Sequence, residues 1–346
     1  MTAVAVRIYD AKDSDRQRWD DFVEQHPEAS FFHRYGWAVV LRAAFGHRPH
    51  YLLAERDGEI VGLLPLGEIR SLLFGHSLIS SPFCVYGGPL ASDEHVSAAL
   101  IDAASVRARE LNVDYLELRG TRRSRPDWPC KDDLYVTFRK PIAANDDDNL
   151  KAIPRKQRAM VRAGIDAKLT VTIDPGPDRL WPLYAESVRN LGTPVFPSRY
   201  FTLLQREFGA DCEVTTVERD AQPLASVMSF YHRGTVLPYY GGGSSLARQY
   251  KANDFMYWSV MRRAVERGVT VFDYGRSKLG TGSFSFKKHW GFEPEPLYHE
   301  YDLVKAKEMP NVSPTNPKYQ MFIAAWRKLP LPVSNTVGPW LARSLG

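Results

Sequence analysis

One stretch in the last quarter of the sequence concentrates side chains that could do chemistry. It runs from residue 273 to 292 and reads DYGRSKLGTGSFSFKKHWGF. Its ionisable groups include Asp273, Arg276, Lys278, Lys287 and Lys288. A carboxylate here could orient or deprotonate an amine, whereas an ammonium could stabilise negative charge or donate a proton. Arg276 and Lys278 could hold an anionic substrate, or either could form an ion pair with Asp273.

A run of glycines provides a second candidate site. Backbone N–H groups freed by glycines at the start of a helix form a natural cradle for phosphates, although a flexible turn is the alternative. The residues assigned to this cradle are Gly241, Gly242, Gly243 and Ser244. Tyr239 and Tyr240 precede the run at a predicted strand end. We expect them to hydrogen-bond an acceptor, with aromatic packing as the commoner role.

A third candidate is a basic helix that starts after Pro154, since proline is favoured in a first helical turn. Its cations are Arg155, Lys156, Arg158 and Arg162. Such a surface could bind nucleotide phosphates, a tRNA backbone or anionic lipid, or it could be a solvated face.

The overall composition is that of a soluble globular protein. The chain has 346 residues with a net charge of +5, which suits a phosphate-bearing ligand or an anionic surface. The cysteines Cys84, Cys130 and Cys212 form neither a disulfide framework nor a metal motif, and the histidines lack ligand spacing, so we predict no metal. The N-terminal residues do not resemble a secretion signal, and we expect a cytoplasmic protein. Neither a G-x-S-x-G elbow nor a Walker loop is present, so serine hydrolases and NTPases lack support.

The order of features is repeated along the chain. Glu-Arg-Asp turns, Tyr-Gly-Gly runs and late strands with an acidic residue recur at offsets of 154 to 163 residues. Strands that alternate with helices, together with adjacent hairpins, predict an α/β fold with mixed α+β sheets. We therefore expect two tandem domains of one fold, residues 1–144 and 151–305, joined by an acidic linker over 145–150.

The first domain contributes two candidate substrate-binding residues. Tyr86 occupies the place in the first half that Tyr240 occupies in the second. His33 could line a cleft between the halves, although a lone histidine is more often structural. The first half has no counterpart of the Lys-x-x-Trp-Gly-Phe run after Arg119, so we expect one active site per chain, in the second domain.

The remaining residues, 306–346, are rich in proline and mix aromatic, aliphatic and basic side chains. This composition suits either peripheral contact with the inner membrane or an arm that packs back on the domains.

The run FKKHWGF from Phe286 resembles the helix-to-strand turn that closes the acyl site of GNAT N-acetyltransferases. That family has an aromatic, a tyrosine, two variable residues, a hydrophobic residue and then Gly-Phe. Lys287 replaces the tyrosine, as in the FemAB-like branch of the superfamily. The runs FFHRYGW, SSPFCVYGGP, IPRKQRAMVRAG, SVRNLGTPVFP, LPYYGGG and ANDFMYW extend the resemblance over most of the chain. It is greatest to the FemAB-related group of exosortase and exopolysaccharide loci, and bacterial ceramide synthases are similar.

The resemblance implies two tandem GNAT-type domains and an amide-forming acyltransferase. The expected co-substrate is an acyl-CoA thioester, or alternatively aminoacyl-tRNA, with no permanently bound cofactor. The acceptor would be a primary amine of an envelope lipid or glycoconjugate. Lys287, Asp273 and Tyr240 are the implied catalytic residues. The alternatives are tRNA-dependent aminoacyl transfer to a peptidoglycan precursor, which the lack of a coiled-coil arm disfavours, and a non-catalytic scaffold.

Overall fold

The computed structural model describes residues 6–71, 74–310 and 317–346. Its strands are β1 (Arg7–Asp10), β2 (Arg48–Arg56), β3 (Glu59–Ser71), β4 (Gly75–Ser80), β5 (Leu90–Ala91), β6 (Tyr115–Gly120), β7 (Cys130–Lys131), β8 (Tyr135–Pro141), β9 (Thr170–Asp174), β10 (Cys212–Arg219), β11 (Gln222–His232), β12 (Thr235–Gly243), β13 (Val271–Asp273), β14 (Ser277–Lys278), β15 (Pro294–Pro296) and β16 (Tyr298–Leu303). The α-helices are α1 (Arg16–Gln25), α2 (Gly36–Phe45), α3 (Glu94–Glu110), α4 (Asp146–Ala152), α5 (Arg155–Asp166), α6 (Leu180–Leu191), α7 (Ser198–Phe208), α8 (Ala252–Glu266), α9 (Gly282–His289), α10 (Pro317–Arg327) and α11 (Leu331–Ala342).

Contacts divide the chain into two compact units. Among the described residues, the first unit contains 6–71, 74–133, 296–310 and 343–346, and the second contains 134–295 and 317–342. Each unit has its own mixed sheet and its own hydrophobic core. The predicted α/β class with two tandem domains is confirmed.

The two sheets have the same plan. The first has the strand order β1-β2-β3-β4-β6-β16-β7, and the second has β9-β10-β11-β12-β13-β8-β14. Both contain a parallel pair near the middle, β4 with β6 and β12 with β13. Glu117 of β6 and Asp273 of β13 each lie two residues after the strand's first parallel pair, which supports the predicted correspondence between them.

Each sheet is completed by a strand from the other half of the sequence. β8 precedes every other strand of the second unit yet lies in its sheet between β13 and β14, and β16 lies in the first sheet between β6 and β7. The units therefore change at 133/134 and 295/296, which differs from the predicted boundaries at 144 and 305. The local composition of the sequence does not indicate that two strands are exchanged in this way, so the predicted boundaries differ from the observed ones.

The predicted acidic linker falls on a helix. Asn145 caps α4 by accepting the N–H of Asp148 at 2.9 Å. The first turn of α4 carries Asp146, Asp147 and Asp148, whose charges favour a helix N-terminus. Polarity suggested a linker, but the cap and the acidic first turn are also the signature of a helix start.

The core of the second unit surrounds the elements of the candidate site. It contains Phe138 of β8, Val161 of α5, Phe255 of α8, and the aromatic side chains of Phe272 and Trp290. Thr281 caps the N-terminus of α9, and its hydroxyl accepts the N–H of Phe284 at 3.4 Å. This helix is short because Gly291 follows it with a φ of 78°, a left-handed conformation that favours glycine.

Candidate active site

The central strands of the second sheet separate towards one end. Among the described residues, β12 and β13 pair only at Thr235 with Val271 and at Val236 with Phe272. Beyond these pairs β12 continues to Gly243, paired with β11, whereas β13 ends at Asp273. We call the region between residues 239–243 and residues 273–276 the strand gap. Unpaired strand edges can bind an extended ligand through its amide groups.

A β-bulge lies in the wall of the strand gap. Met228 pairs with Tyr240 and Ser229 pairs with Pro238, so Tyr239 is an extra residue in β12. A bulge leaves its extra residue outside the ladder and redirects side chains, and bulges are frequent beside active sites. The Tyr239 ring lies across the gap against Gly275, where a methyl group would be 3.7 Å from it. The structure thus places Tyr239 in the gap, half-buried.

Asp273 holds the turn that forms the opposite wall. Its carboxylate accepts the N–H of Gly275 at 2.7 Å and the hydroxyl of Thr137 at 3.4 Å. The side chain is buried, with 2% of the residue exposed. These contacts make Asp273 a positioning residue for the turn, and direct contact with an amine stays a prediction.

Lys287 binds the same turn from α9. Its Nζ donates to the backbone carbonyls of Tyr274 at 2.7 Å, Gly275 at 3.0 Å and Arg276 at 3.0 Å. An ammonium has three protons, so these bonds account for all of them. A bond from Lys287 to a reacting oxygen would require one carbonyl bond to be released.

The electrostatic environment of Lys287 is unusual for a lysine. Burial, with 8% of the residue exposed, lowers its pKa to about 7; the Asp273 carboxylate opposes this shift and Arg276 adds to it. A lysine with a pKa near 7 can exchange a proton at physiological pH, which is a property of catalytic and positioning lysines.

Tyr240 is embedded in an aromatic cluster. Its hydroxyl and that of Tyr200 in α7 are 2.8 Å apart. The rings of Tyr184, Phe196 and Phe201 lie 5.3 to 5.9 Å from its ring. Tyr240 is 6% exposed, so its hydroxyl is committed to a buried pair. The catalytic role of Tyr240 and the substrate-binding role of Tyr239 stay predictions.

The glycine run belongs to β12 itself. The N–H of Gly243 donates to the hydroxyl of Ser187 at 2.9 Å, and the N–H of Ser244 donates to the carbonyl of Leu224 at 2.8 Å. A methyl group on Gly242 would lie 2.3 Å from the carbonyl oxygen of Leu183 in α6. Gly242 is thus needed for close packing of α6 on the strand. The phosphate-binding role of the glycines stays a prediction.

The predicted basic helix is α5, and it packs on the start of α8. The Gln157 side chain hydrogen-bonds Asp254 in the first turn of α8, and a methyl group on Gly164 would lie 2.7 Å from Phe255. Arg155, Lys156 and Arg162 are exposed and Arg158 is half-buried. None of the four cations forms an ion pair with a residue in the described part of the chain.

Arg276 and Lys278 flank the turn held by Lys287. The Arg276 guanidinium lies 4.7 Å and the Lys278 ammonium 5.5 Å from the centre of the Tyr135 ring in β8. No ion pair of Arg276 with Asp273 is found within the described ranges. Both side chains are half-buried, and their substrate-binding roles stay predictions.

Comparison with known proteins identifies the domain that contains the strand gap. Residues 149–288 match the family model described as Acetyltransferase (GNAT) domain, a range that runs from α4 to Lys288 in α9. The chain carries a GNAT acyltransferase domain. The predicted enzyme class is thereby confirmed.

Solved structures extend the likeness beyond the GNAT domain. The chain superimposes on FemX with a TM-score of 0.66 at 16% identity, over 92% of this chain and 100% of FemX. A tandem GNAT protein from the clavulanic acid biosynthesis pathway gives 0.54 at 13% identity, over 86% of this chain and 98% of that one. The C-terminal domain of a putative lysylphosphatidylglycerol synthetase from Agrobacterium fabrum gives 0.54 at 14% identity, over 83% and 91%. No curated protein matches the sequence. The predicted FemAB-like tandem GNAT fold is confirmed.

The first unit presents a different environment from the GNAT domain. His33 is buried: its Nδ1 accepts the N–H of Ser30 at 3.1 Å and its Nε2 lies 3.0 Å from the carbonyl of Gly88. Burial lowers the pKa of His33 to about 4, so the ring is neutral. Tyr86 is buried beside Phe32, with 6.2 Å between the rings, and lies outside the strands. Both residues have structural roles here, and their substrate-binding roles stay predictions.

The strand gap also depends on features that the sequence did not reveal. The bulge at Tyr239 and the hydroxyl pair with Tyr200 require knowledge of the register of β11 and β12.

In the first unit, Glu117 accepts from Arg119 and lies 2.8 Å from His299 of the exchanged strand β16. Although burial raises it, Arg119 and His299 bring the pKa of Glu117 far below its usual value. The position in the first unit that corresponds to Asp273 is thus part of an ion-pair cluster.

Proposed function

We propose that the GNAT domain moves an acyl group from an acyl-CoA thioester to a primary amine of an envelope lipid or glycoconjugate, such as a sphingoid base or an exopolysaccharide amino sugar. The strand gap carries this proposal. It joins a separated parallel pair, a bulge at Tyr239 and a turn fixed by Lys287 in one place. Such a gap suits an extended thioester donor whose amide groups pair with the edge of β12.

The donor's phosphates would lie where α5 meets the start of α8. The four cations of α5 are free of ion pairs among the described residues, so a polyanion meets no internal competitor. The first backbone N–H groups of α8 add to this positive potential. This arrangement moves the phosphate site from Gly241–Gly243 to the residues after them.

The chemistry would be direct attack of the amine on the thioester. The nitrogen bonds to the carbonyl carbon, the C–S bond breaks, and the thiolate takes a proton as the ammonium intermediate loses one. Backbone N–H groups at the Tyr239 bulge are the candidates for stabilising the oxyanion. Burial raises the pKa of Cys212 in this unit, so the thiol has little nucleophilic character. A covalent enzyme intermediate is therefore not part of the proposal.

Lys287 and Asp273 would act together on the turn. The ammonium holds three carbonyls and the carboxylate holds the N–H of Gly275, so the turn that lines the gap has one conformation. Misplacement of a reacting group by about 1 Å can lower the reaction rate about 10²-fold. We therefore expect the bonds that hold this turn to raise the rate by a large factor. Lys287 would also supply positive potential next to the developing oxyanion.

Aminoacyl transfer from tRNA is the second candidate function. The likeness to FemX and the free cations of α5 favour it over a non-catalytic scaffold. An RNA backbone would make tRNA binding weaken steeply as salt rises, and neutralising Arg155, Lys156 and Arg158 would flatten that dependence.

Thiol release tests the proposal. The full chain would be incubated with acyl-CoAs of increasing chain length and with pooled amino-lipid and amino-sugar acceptors. Release that requires an acceptor supports N-acyl transfer, and a preference for long chains supports a lipid amine. Absence of release with every donor, from protein with a cooperative unfolding transition, would contradict it in favour of tRNA-dependent transfer or a scaffold.

A further inference from the structure

Helix α11 buries small side chains and exposes large apolar ones. Its buried residues are Ser334, Gly338 and Ala342, spaced four apart along one face. The opposite face exposes Val333 by 44%, Val337 by 41% and Trp340 by 59%. A helix on the surface of a globular protein normally buries its large apolar residues and exposes small or polar ones. The outer face of α11 therefore lacks the partner that its composition requires within the described residues.

The neighbouring elements continue this pattern. α10 and α11 both pack near the end of α6, where a methyl group on Gly192 would lie 2.5 Å from Ile323 and one on Gly338 would lie 2.9 Å from Val195. Met321 of α10 is 73% exposed and Leu191 of α6 is 65% exposed. We call Leu191, Met321, Val333, Val337 and Trp340 the apolar face.

The charge of the C-terminal residues indicates which kind of partner the apolar face binds. Residues 309–346 contain four cations, Lys318, Arg327, Lys328 and Arg343, and neither Asp nor Glu. Arg327, the last residue of α10, and Lys328, which follows it, are both exposed. Exposed apolar side chains in a segment whose ionisable side chains are all basic match an anionic bilayer surface, where the apolar groups enter the interface and the cations meet lipid phosphates. An ordinary protein surface presents both signs of charge.

No helix in the described part of the chain is both long enough and apolar enough to cross a membrane. We infer that the apolar face of α10 and α11 docks the second unit on an anionic lipid bilayer from one side, with Trp340 in the interface. This inference goes beyond the proposed activity, because binding to lipid can be measured without donor or acceptor.

Vesicle sedimentation with the full chain tests the inference. The probes are vesicles of phosphatidylglycerol mixed with phosphatidylcholine, and vesicles of phosphatidylcholine alone. The expected result is binding to the anionic vesicles that weakens as salt is raised. Removing one cation near the surface by Lys328→Gln should weaken binding about fivefold, the equivalent of about 1 kcal/mol per basic residue.

Substitutions on the apolar face supply the decisive comparison. Val333→Ser, Val337→Ser and Trp340→Ser together should weaken binding at least about tenfold, since the apolar area that enters the interface is lost. The matched control is Val171→Ser with Ile173→Ser on edge strand β9, which removes apolar side chains that are exposed to a similar degree, 40% and 42%. This control should bind as the wild type does. If the triple variant does not fold, Trp340→Gln alone, compared with Trp340→Phe, gives the same test.

Three results would overturn the inference. They are equal binding by the wild type and the triple variant, equal binding to both kinds of vesicle, and a dimer by light scattering that the triple variant converts to a monomer. The last would show that a second copy of the chain covers the apolar face.

Discussion

The ammonium of Lys287 donates to three successive carbonyls, and this determines what its removal should do. Lys287→Met keeps much of the side-chain volume but releases the turn at residues 274–276. We expect kcat to fall by about 10²-fold or more because the turn no longer holds one conformation. The measurement is steady-state turnover by thiol release.

Lys288 provides a matched control for that substitution. It neighbours Lys287 in α9 but is exposed. Lys288→Met should therefore retain turnover close to that of the wild type. Equal turnover by the wild type and a folded Lys287→Met variant would contradict the positioning role.

The lowered pKa of Lys287, about 7 against 10.5 for a free lysine, also predicts a pH dependence of stability. Between these two values the unfolded chain binds a proton that the folded chain does not. The free energy of unfolding therefore gains a contribution from Lys287 as the pH rises through this range, by at most about 1.4 kcal/mol per pH unit. Below about pH 7 the contribution is constant, because both states are protonated.

Urea unfolding at pH 7, 8 and 9 measures this contribution. The free energy of unfolding of the wild type should rise relative to that of Lys287→Met as the pH increases. A difference between the wild type and Lys287→Met that stays constant over this range would show that the pKa of Lys287 is not lowered.

At the scale of elements, the contact between β12 and α6 explains the glycine run. A methyl group on Gly242 would meet the carbonyl oxygen of Leu183 at 2.3 Å, and backbone cannot move aside as a side chain can. Gly242→Ala should lower the free energy of unfolding by about 1–3 kcal/mol through overpacking. Gly282→Ala at the start of α9 is the control, since a methyl group there has open space. Equal unfolding midpoints for the two variants would refute the packing explanation.

The basic helix α5 gives a second prediction at this scale. Arg155→Gln with Lys156→Gln should raise the KM for acyl-CoA and flatten its salt dependence, because a phosphate-bearing donor loses two cations. Turnover at saturating donor should be unchanged. The measurement is KM for acyl-CoA at two salt concentrations, and a salt dependence identical to that of the wild type would exclude α5 from the donor site.

At the scale of the whole molecule, strand exchange makes each unit depend on sequence from the other half. Phe138 lies on β8, early in the chain, but is fully buried in the core of the second unit. Phe138→Ala should lower the free energy of unfolding by about 3–5 kcal/mol and reduce activity at physiological temperature. Phe74 in the first unit is 42% exposed, so Phe74→Ala should change the free energy of unfolding only slightly. Thermal unfolding by circular dichroism distinguishes them, and similar losses in both variants would contradict this placement of β8.

Sequence reasoning predicted the repeated plan, the α/β class and the stretch around Lys287 because these depend on local periodicity and on short motifs. It could not predict strand exchange, since β8 and β16 look like any edge strand in their own half. It also placed the glycines in a turn, because a glycine run in a strand is explained only by the approach of α6. The bulge at Tyr239 depends on register, which no residue type specifies here.

In the proposed reaction, the strand gap of the GNAT domain joins an acyl group to an amine. Mass spectrometry of the acceptor after incubation with acyl-CoA tests it most directly, because it detects the new amide itself. We predict an amide of the expected mass in an amount equal to the thiol released, formed by the wild type and by Lys288→Met and strongly reduced in Lys287→Met. Thiol release without an amide, or an amide formed equally by Lys287→Met, would contradict the account.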